Sequence, residues 1–206
     1  MPVHREVYFF KNYFLQFFRD QGQDVRSRIK WVLDLIREID PIPEQYFKYI
    51  RDGIYEVRVS SGRKIFRVFV VLTRAILLYY FMDSKRRRLR HPVAKLRRLS
   101  EFTGSTAKPR RKEKLLTSLD ELLEMEHGKK GTPSRDAYEA GYEAFKLGFL
   151  LQEARKKKHL TQEQLAVRAG TTKNYISRIE NDGSDIRLGT LMRIVKGLGA
   201  QLTLTF

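Results

Sequence analysis

Two arginines on neighbouring predicted strands have the type and spacing to bind an anion. Side chains alternate along the run Tyr55–Val59, so Glu56 and Arg58 share one face. Arg67 stands among apolar residues on the next strand. Two guanidinium groups on adjacent strands can grip a phosphate through paired hydrogen bonds, which would make this face a groove for an anionic ligand. The alternative is that both arginines pair with Glu56 or another carboxylate on a solvated sheet face.

A second group of hydrogen-bond donors follows a predicted turn in the C-terminal part of the chain. Two short predicted helices flank Ala169-Gly170, which is the arrangement of a helix-turn-helix. In the second helix Ile176 and Ile179, three residues apart, would face the core. The rest of that helix carries donors suited to base edges and phosphates, namely Lys173, Asn174, Ser177 and Arg178. The alternative is a polar helix face without a ligand.

Other kinds of site find no support in the sequence. The histidines are scattered without metal-ligand spacing, at His4, His91, His127 and His159, and the chain has no cysteine. Neither a Gly-rich phosphate loop nor a nucleophile elbow occurs. We therefore expect no metal and no cofactor. The lack of cysteine, of a secretion signal and of an apolar run of the ~20 residues that a bilayer requires favours a cytoplasmic protein without a membrane partner.

The sequence pattern of residues 1–81 predicts a small α+β domain, whose elements would position the arginines. Glu6–Arg19 is rich in aromatic residues, strand-like at first and helical in spacing from Lys11. Asp24–Asp40 has apolar residues three and four apart, which predicts an amphipathic helix that ends before Pro41. After a proline-containing loop come three strand-like runs with the short connections of antiparallel hairpins, namely Ile54–Ser60, Lys64–Leu72 and Ala75–Phe81. We expect helices followed by an antiparallel meander.

Residues 115–206 predict an all-α domain that ends in a strand. Capping boxes open two of its helices, at Ser118/Glu121 and Thr161/Gln164. Further helix starts are marked by Thr132-Pro133 and by Thr172. After a last helix over Leu188–Leu198, the run Gln201–Phe206 alternates as a strand would.

More than half of the excess positive charge lies between these two segments. The chain carries 41 Lys and Arg against 24 Asp and Glu, a net charge of +17. Residues 82–114 hold 13 of the basic and 3 of the acidic residues, a net of +10 (13 minus 3) in 33 residues. Because this stretch has no helical or strand period, we interpret it as a basic linker between two domains.

Three sequence blocks in the first domain occur in the order of a known family: Pro43–Lys48, Asp52–Val59 and Ser61–Arg67. They resemble the RelE/HigB toxins, in their phage-derived branch, over most of residues 5–81. Members of that family are metal-independent ribonucleases that cut messenger RNA, usually in the decoding site of the ribosome. The resemblance implies that Arg58 and Arg67 contact the scissile phosphate and stabilise its transition state, with Lys48 as a further candidate.

The resemblance stops just past Phe81. Relatives continue with a motif like His-Gly-Phe-x-Lys-Lys-Thr-x-Lys-Thr-Pro and a C-terminal helix. Back-translation of Phe81–Pro92 permits that motif when it is read one base earlier, so our hypothesis is that residues from about 82 to 114 are read out of the toxin's frame. The alternative is a designed or evolved basic linker. On the first hypothesis a histidine and several lysines of the site are missing, and an endoribonuclease in residues 1–81 would be impaired.

The run from Leu160 to Glu180 resembles the Cro/repressor-type helix-turn-helix of HigA antitoxins, and the likeness extends over residues 116–206. It implies that operator DNA is a partner, with Gln162 and Thr172 on backbone phosphates. The major groove would receive Lys173, Asn174, Ser177 and Arg178. Such domains usually read pseudo-palindromes, so we expect a homodimer, with contacts through the Gln201–Phe206 strand.

Two functions remain open at the level of the sequence. The first is a type II toxin–antitoxin fusion that acts as a sequence-specific DNA-binding autorepressor, with an inhibited or inactive toxin half. The second is an active ribosome-dependent endoribonuclease that cuts messenger RNA and carries a DNA-binding accessory domain.

Overall fold

The chain folds as two compact units, Met1–Arg135 and Asp136–Phe206. The computed structural model describes residues 5–10, 13–51, 53–61, 64–72, 76–81, 116–183 and 186–203. The basic stretch 82–114, with the proposed change of reading frame, lies outside the described residues.

The first unit is a mixed sheet with helices. Its described elements are β1 (Glu6–Phe10), α1 (Tyr13–Arg19), α2 (Gln23–Glu38), β2 (Phe47–Arg51), β3 (Ile54–Ser61), β4 (Lys64–Leu72), β5 (Ile76–Phe81), β6 (Leu116–Ser118) and α3 (Leu119–His127). The strands lie in the order β2-β3-β4-β5-β1-β6. The β3–β4 and β4–β5 pairs are antiparallel, as the hairpin signals predict.

The sheet differs from the predicted meander at both edges. β2 is an additional antiparallel strand beside β3, where the sequence led us to expect a loop. β1 lies parallel to β5, and β6 pairs antiparallel with β1. These pairings join segments far apart in the chain, so no local turn signal announces them.

Aromatic residues fix the helices to one face of the sheet. Phe9 of β1 stacks on Phe14 of α1 with ring centroids 4.3 Å apart, and Phe14 stacks on Phe18 at 5.7 Å. All three rings are fully buried. Phe17 of α1 lies 6.1 Å from Phe66 of β4. Each buried ring removes enough apolar area from water to stabilise the unit by about 1.5–3 kcal/mol, so this cluster sets which face of the sheet α1 covers.

The second unit is helical. It comprises most of α4 (Pro133–Lys157), then α5 (Gln162–Ala169), α6 (Lys173–Asp182) and α7 (Leu188–Gly197). Its core contains Leu151, Leu160, Leu165, Ala166, Ala169, Ile176, Ile179, Ile194, Val195 and Leu198. The predicted core positions Ile176 and Ile179 are both buried.

Local capping signals set the helix starts of this unit. Thr161 forms the predicted capping box with Gln164 at the start of α5. The helix ends at Gly170, which has a left-handed backbone with φ of 61°. Thr172 caps α6, where its hydroxyl accepts a hydrogen bond from the Tyr175 amide at 3.2 Å. These bonds satisfy amides that the helices leave without partners, and they define the turn between α5 and α6.

The predicted C-terminal strand is absent from its described part. Residues 201–203 belong to no strand, and 204–206 lie outside the described residues. A strand requires a partner for its backbone groups, and the second unit contains none among the residues that the structure describes. No helix in the described ranges is long and apolar enough to span a membrane.

Candidate nucleic-acid interfaces

The three predicted catalytic cations lie on one face of the sheet of the first unit. Arg58 on β3 is directly opposite Arg67 on β4. Lys48 on β2 is directly opposite Glu56 on β3, two residues from Arg58. Directly paired residues share a face, and so do residues two apart on one strand, which brings these four positions together. We refer to Lys48, Glu56, Arg58 and Arg67 as the arginine face.

The arginine face is turned away from α1. Phe66 precedes Arg67 and contacts Phe17 of α1, and successive side chains of a strand point to opposite faces. Val59, opposite Phe66, is fully buried. The apolar side of the sheet therefore carries α1, and the cations point to the other side.

Glu56 holds the two arginines together. The residue is buried, at 6% exposure, and one carboxylate oxygen accepts a hydrogen bond from Nε of Arg58. The other oxygen lies 3.6 Å from Nε of Arg67. Like charges on directly opposite residues destabilise a sheet, and this carboxylate offsets that repulsion. Carboxylate pairing is thus realised, as the alternative interpretation of the sequence expected.

The arginines nevertheless stay accessible. Their side chains are 36% and 40% exposed for Arg58 and Arg67. Each guanidinium has five N–H donors, of which Glu56 engages only some. Lys48 is exposed on the same face. Three cations and one carboxylate leave a net charge of +2 (3 minus 1) on this face, which would attract an anion such as a phosphodiester.

A segment that follows the basic stretch in the chain forms the edge of the sheet that is farther from the arginine face. β6 pairs with β1, with Ser118 opposite Tyr8 and Leu116 opposite Phe10. Ser118 and Glu121 form the predicted capping box that starts α3, with both hydrogen bonds at 3.1 Å. Leu119, Leu122 and Leu123 of α3 are buried. We name Leu116–His127 the docking element.

Ion pairs with α2 strengthen this docking. Arg37 donates to Asp120 at 2.8 Å. Lys30 of α2, at 2% exposure, lies with its Nζ 2.6 Å from Nε2 of His127 and 3.7 Å from a carboxylate oxygen of Glu126. Burial lowers the pKa of Lys30 to about 8, against the opposing attraction of Glu126. Burial and the neighbouring Lys30 charge lower the pKa of His127.

This charge cluster could not be foreseen from the sequence. Lys30 and His127 are 97 residues apart in the chain. The sequence held one indication of it. Lys30 follows Ile29 on the apolar side of an amphipathic helix, and a cation buried there needs a partner.

In the second unit, the predicted phosphate contacts Gln162 and Thr172 lie at the first residue of α5 and just before α6. Gln162 donates through Nε2 to a carboxylate oxygen of Glu180 at 2.9 Å. Glu180 is buried and also accepts from Nη2 of Arg155 at 2.8 Å. This buried network ties α4, α5 and α6 together, so the position of Gln162 is fixed by the core rather than free at the surface.

The predicted major-groove residues lie in the first two turns of α6. Lys173, Asn174 and Arg178 are exposed, and Ser177 is half-buried. Asn174, Ser177 and Arg178 are three and four residues apart, so they share a side of the helix. The guanidinium of Arg178 lies 5.1 Å from the ring centre of Tyr175, a cation–π contact. The N-terminal turns of such a helix are the part that reaches base edges in helix-turn-helix complexes.

Two family models match separate parts of the chain. Residues 16–88 match the family described as phage derived protein Gp49-like, and residues 151–204 match the helix-turn-helix family HTH_3. The chain joins a Gp49-like domain to a Cro/C1-type helix-turn-helix domain. The whole arginine face lies in the Gp49-like domain, whose match ends within the basic stretch. Gln162, Thr172 and all of α6 lie in the helix-turn-helix domain.

Solved structures of restriction-modification controller proteins are similar to part of the chain. C.AhdI from Aeromonas hydrophila is 27% identical, with 29% of this chain and 89% of that chain covered and a TM-score of 0.28. C.Esp1396I is 33% identical over 28% of this chain and 75% of that chain, also with a TM-score of 0.28. A point mutant of C.Esp1396I bound to its highest affinity operator site OM is 31% identical over 28% and 76%, with a TM-score of 0.27. No curated protein matches the chain significantly.

The helix-turn-helix domain also has a surface that the sequence did not predict. An open groove beside α6 is lined by Thr171, Tyr175, Arg178, Arg187, Thr190 and Arg193. Of these residues only Arg178 was a predicted DNA contact. Arg187 and Arg193 carry no motif signal, because an isolated arginine in a helical pattern is typical of any solvated surface. In the described ranges of both domains, no cluster of His, Cys, Asp and Glu could hold a metal ion.

Proposed function

We propose that the chain is a type II toxin–antitoxin fusion that acts as a sequence-specific DNA-binding autorepressor. The observation that carries the proposal is the exposed donor set at the start of α6, Lys173, Asn174 and Arg178, on a helix whose other side is buried in the core. A recognition helix must present its donors rigidly, and the ion pair of Arg155 with the buried Glu180 holds α4 against α6. Operator DNA is then the partner. A homodimer of the chain would read a pseudo-palindromic site on that DNA.

Binding of the full chain to the promoter region of its own gene tests this proposal. We expect specific binding in fluorescence anisotropy, with an unrelated duplex of equal length as the control, and repression of a reporter placed under that promoter. Equal affinity for both duplexes at the same salt concentration would contradict a sequence-specific repressor, because charge alone supplies non-specific affinity.

The state of the toxin half is the second part of the proposal. We infer that it is inhibited or inactive because a part of its site is missing, and not because the docking element covers it. Two strands, β5 and β1, lie between β6 and β4, which places β6 about 14 Å from the strand of Arg67 at the usual strand spacing. The docking element therefore supports the unit at an edge away from the arginine face.

The alternative function is an active endoribonuclease that cuts messenger RNA on the ribosome. The accessible arginines favour it. In that reaction the 2′-oxygen of the RNA attacks the neighbouring phosphorus, the 5′-oxygen leaves, and Arg58 and Arg67 stabilise the charge that develops on the phosphate. Lys48 would hold a flanking phosphate, and no metal is needed.

Translation extracts distinguish the two states of the toxin half. If it is inactive, the purified full chain leaves ribosome-bound messenger intact. A variant whose gene is restored to the proposed frame after Phe81 should cleave it, and Arg67→Ala in that variant should abolish cleavage. Cleavage by the unaltered chain that Arg67→Ala abolishes would instead establish the endoribonuclease. Gene sequence incompatible with the restored motif would refute the frame hypothesis.

A further inference from the structure

His127, the last residue of α3, contacts α2 through its imidazole ring. Its Nε2 lies 2.6 Å from Nζ of Lys30, and its Nδ1 lies 3.4 Å from the hydroxyl oxygen of Ser134. Lys30 is buried and His127 is half-buried. The backbone carbonyl of His127 accepts a hydrogen bond from the hydroxyl of Thr132 at 2.9 Å. Because the ring and the chain are both held here, a change in the charge of the ring acts directly on the contact between α3 and α2.

The contact between Lys30 and His127 can form only when one of its two nitrogens has a lone pair. An ammonium group has donors and no acceptor, and a protonated imidazole also has donors only. A charged Lys30 therefore requires a neutral His127 that accepts through Nε2 and carries its own proton on Nδ1. If both side chains were protonated, two positive charges would face each other 2.6 Å apart without an acceptor between them.

The charged groups that surround His127 do not offset this repulsion. Those that disfavour a positive charge on the ring are Lys30 and Arg26 of α2 and Arg135 of α4. The carboxylate that favours it, Glu126 of α3, is shared with other cations, since it lies 3.5 Å from Nη1 of Arg26 and 3.7 Å from Nζ of Lys30. The C-terminal end of a helix attracts a cation, but this attraction is weaker than the repulsion by an ammonium group in contact.

The order in which the two side chains take up protons follows from these surroundings. Burial and the charge of Lys30 lower the pKa of His127 from its ordinary value of 6.5. Burial also lowers the pKa of Lys30, to about 8, against the attraction of Glu126 and Asp34. At neutral pH the proton therefore lies on Lys30 and the imidazole is neutral. His127 is the group that takes up the second proton as the pH falls.

We propose that His127 and Lys30 form an acid-sensitive switch that controls the docking of α3 on α2. At neutral pH the imidazole bonds to Lys30 and the docking element is held. Protonation of His127 breaks that bond, and α3 separates from α2. Because β6 directly precedes α3, release of the helix also weakens the pairing of β6 with β1. The switch lies within the first unit and does not depend on the proposed function of the helix-turn-helix domain.

Acid should favour the released state of α3. In that state His127 is free of Lys30 and has its ordinary pKa of 6.5, whereas docking lowers the pKa. The released state therefore binds more protons as the pH falls through 6.5, and the equilibrium moves toward it. Between pH 7.5 and pH 5.5 the equilibrium constant for release should increase by up to about 10-fold, the limit in which the docked ring stays neutral.

Hydrogen exchange of the full chain at these two pH values, measured by mass spectrometry, tests the switch. Protection of the α3 amides, corrected for the intrinsic pH dependence of exchange, should fall by about 3- to 10-fold at the lower pH. His127→Gln keeps an acceptor but does not titrate, and Lys30→Met removes the repelling charge, so each should lose this fall. The control is His159→Asn, which removes an exposed histidine of the second unit and should keep the fall. Asparagine tolerates the left-handed backbone at that position, where φ is 54°.

A second measurement needs only the wild-type chain, so it does not depend on the stability of a variant. An NMR titration of the His127 ring should give a pKa below 6.5 and show the proton on Nδ1 at pH 7.5. A pKa at or above 6.5, or a proton on Nε2, would overturn the inference. The same conclusion would follow if α3 protection in the wild type did not change with pH, or if His127→Gln or Lys30→Met showed the same fall as the wild type.

Discussion

Glu56 determines how Arg58 and Arg67 can occupy opposite positions of one sheet. Its buried carboxylate contacts both guanidinium groups, so each cation is partly neutralised and partly available. The sequence pattern predicted that the two arginines lie on adjacent strands and could bind an anion. It also predicted that Glu56 could pair with them. It could not predict that the arginines are direct cross-strand partners, because register depends on the geometry of the turn between the strands as well as on their hydrophobic pattern.

Removing that carboxylate should weaken the first unit. We expect Glu56→Gln to lower its free energy of unfolding by about 1–2 kcal/mol, because two facing guanidinium groups lose their counter-charge. The loss is small because both arginines are partly exposed and water screens their charges. Trp31, the chain's single tryptophan, lies in α2 of this unit, so its fluorescence in a urea titration follows the unfolding. Glu44→Gln, at an exposed site, should change the value by less than ~0.5 kcal/mol.

On the proposed recognition helix α6, single side chains should discriminate between DNA sequences. Lys173→Ala and Arg178→Ala should each weaken operator affinity by about 1–3 kcal/mol if they contact bases. Anisotropy at one fixed salt concentration measures the effect, and Arg168→Ala serves as an exposed arginine outside α6. Unchanged binding in both variants would mean that α6 is not the recognition helix.

At the scale of elements, sequence signals predicted the features that depend only on residues close together in the chain. The capping boxes at Ser118/Glu121 and Thr161/Gln164 form as expected, because each requires only residues three apart. β2 was missed although a signal was present, since Asp52-Gly53 between Arg51 and Ile54 is the sequence pattern of a two-residue hairpin. The docking of β6 on β1 brings together residues more than 100 positions apart, and no residue type near Leu116 indicates that partner.

The first unit, in which α3 packs on α2, should become more stable at alkaline pH. Lys30 has a pKa of about 8 in the folded unit and an ordinary value of 10.5. The folded state therefore releases this proton more readily than the unfolded state, so the first unit should gain stability as the pH rises from about 8 to about 10.5. Urea titrations followed by Trp31 fluorescence at pH 7.5 and pH 10 measure the gain. Lys30→Met, which has no titrating group, should show a smaller gain; an equal one would assign it to other residues.

Because α4 and α6 are in close contact, one methyl group added between them should destabilise the second unit. A Cβ atom on Gly148 would lie 2.3 Å from the carbonyl oxygen of Ile179. We expect Gly148→Ala to lower the free energy of unfolding by about 1–3 kcal/mol, because the helices must move apart. Gly189→Ala, at a helical position with open space around it, should be neutral or slightly stabilising. Thermal melts followed by circular dichroism compare the two.

At the scale of the whole molecule, the family resemblances predicted the order of the two domains. The match to a Gp49-like domain followed by a helix-turn-helix domain agrees with the coarse form of that prediction. The HigB and HigA identities stay predictions. The boundary between compact units at Arg135 was not visible in composition, because the docking element looks like the start of the helical domain and packs with the sheet instead.

Assembly is a property of the whole chain. We expect the full chain to be a dimer at micromolar concentration, since a pseudo-palindromic site requires two recognition helices about one DNA turn apart. Light scattering during size exclusion measures the mass against the 24.4 kDa of one chain. A strict monomer under these conditions would contradict the prediction. Residues 201–203 are exposed and belong to no strand in the single chain, so pairing of Gln201–Phe206 with a second copy stays a prediction.

The position of β6 also has a consequence for synthesis of the protein. The first unit lacks its last strand and α3 until His127 has left the ribosome, which is 46 residues after Phe81 (127 minus 81). At ordinary elongation rates this takes about 2–9 s. During that interval β1 presents an unpaired edge, the feature that lets nascent chains associate with one another. A pause in translation while residues 82–127 are still emerging from the ribosome should therefore promote aggregation, whereas a pause after His127 has emerged should not.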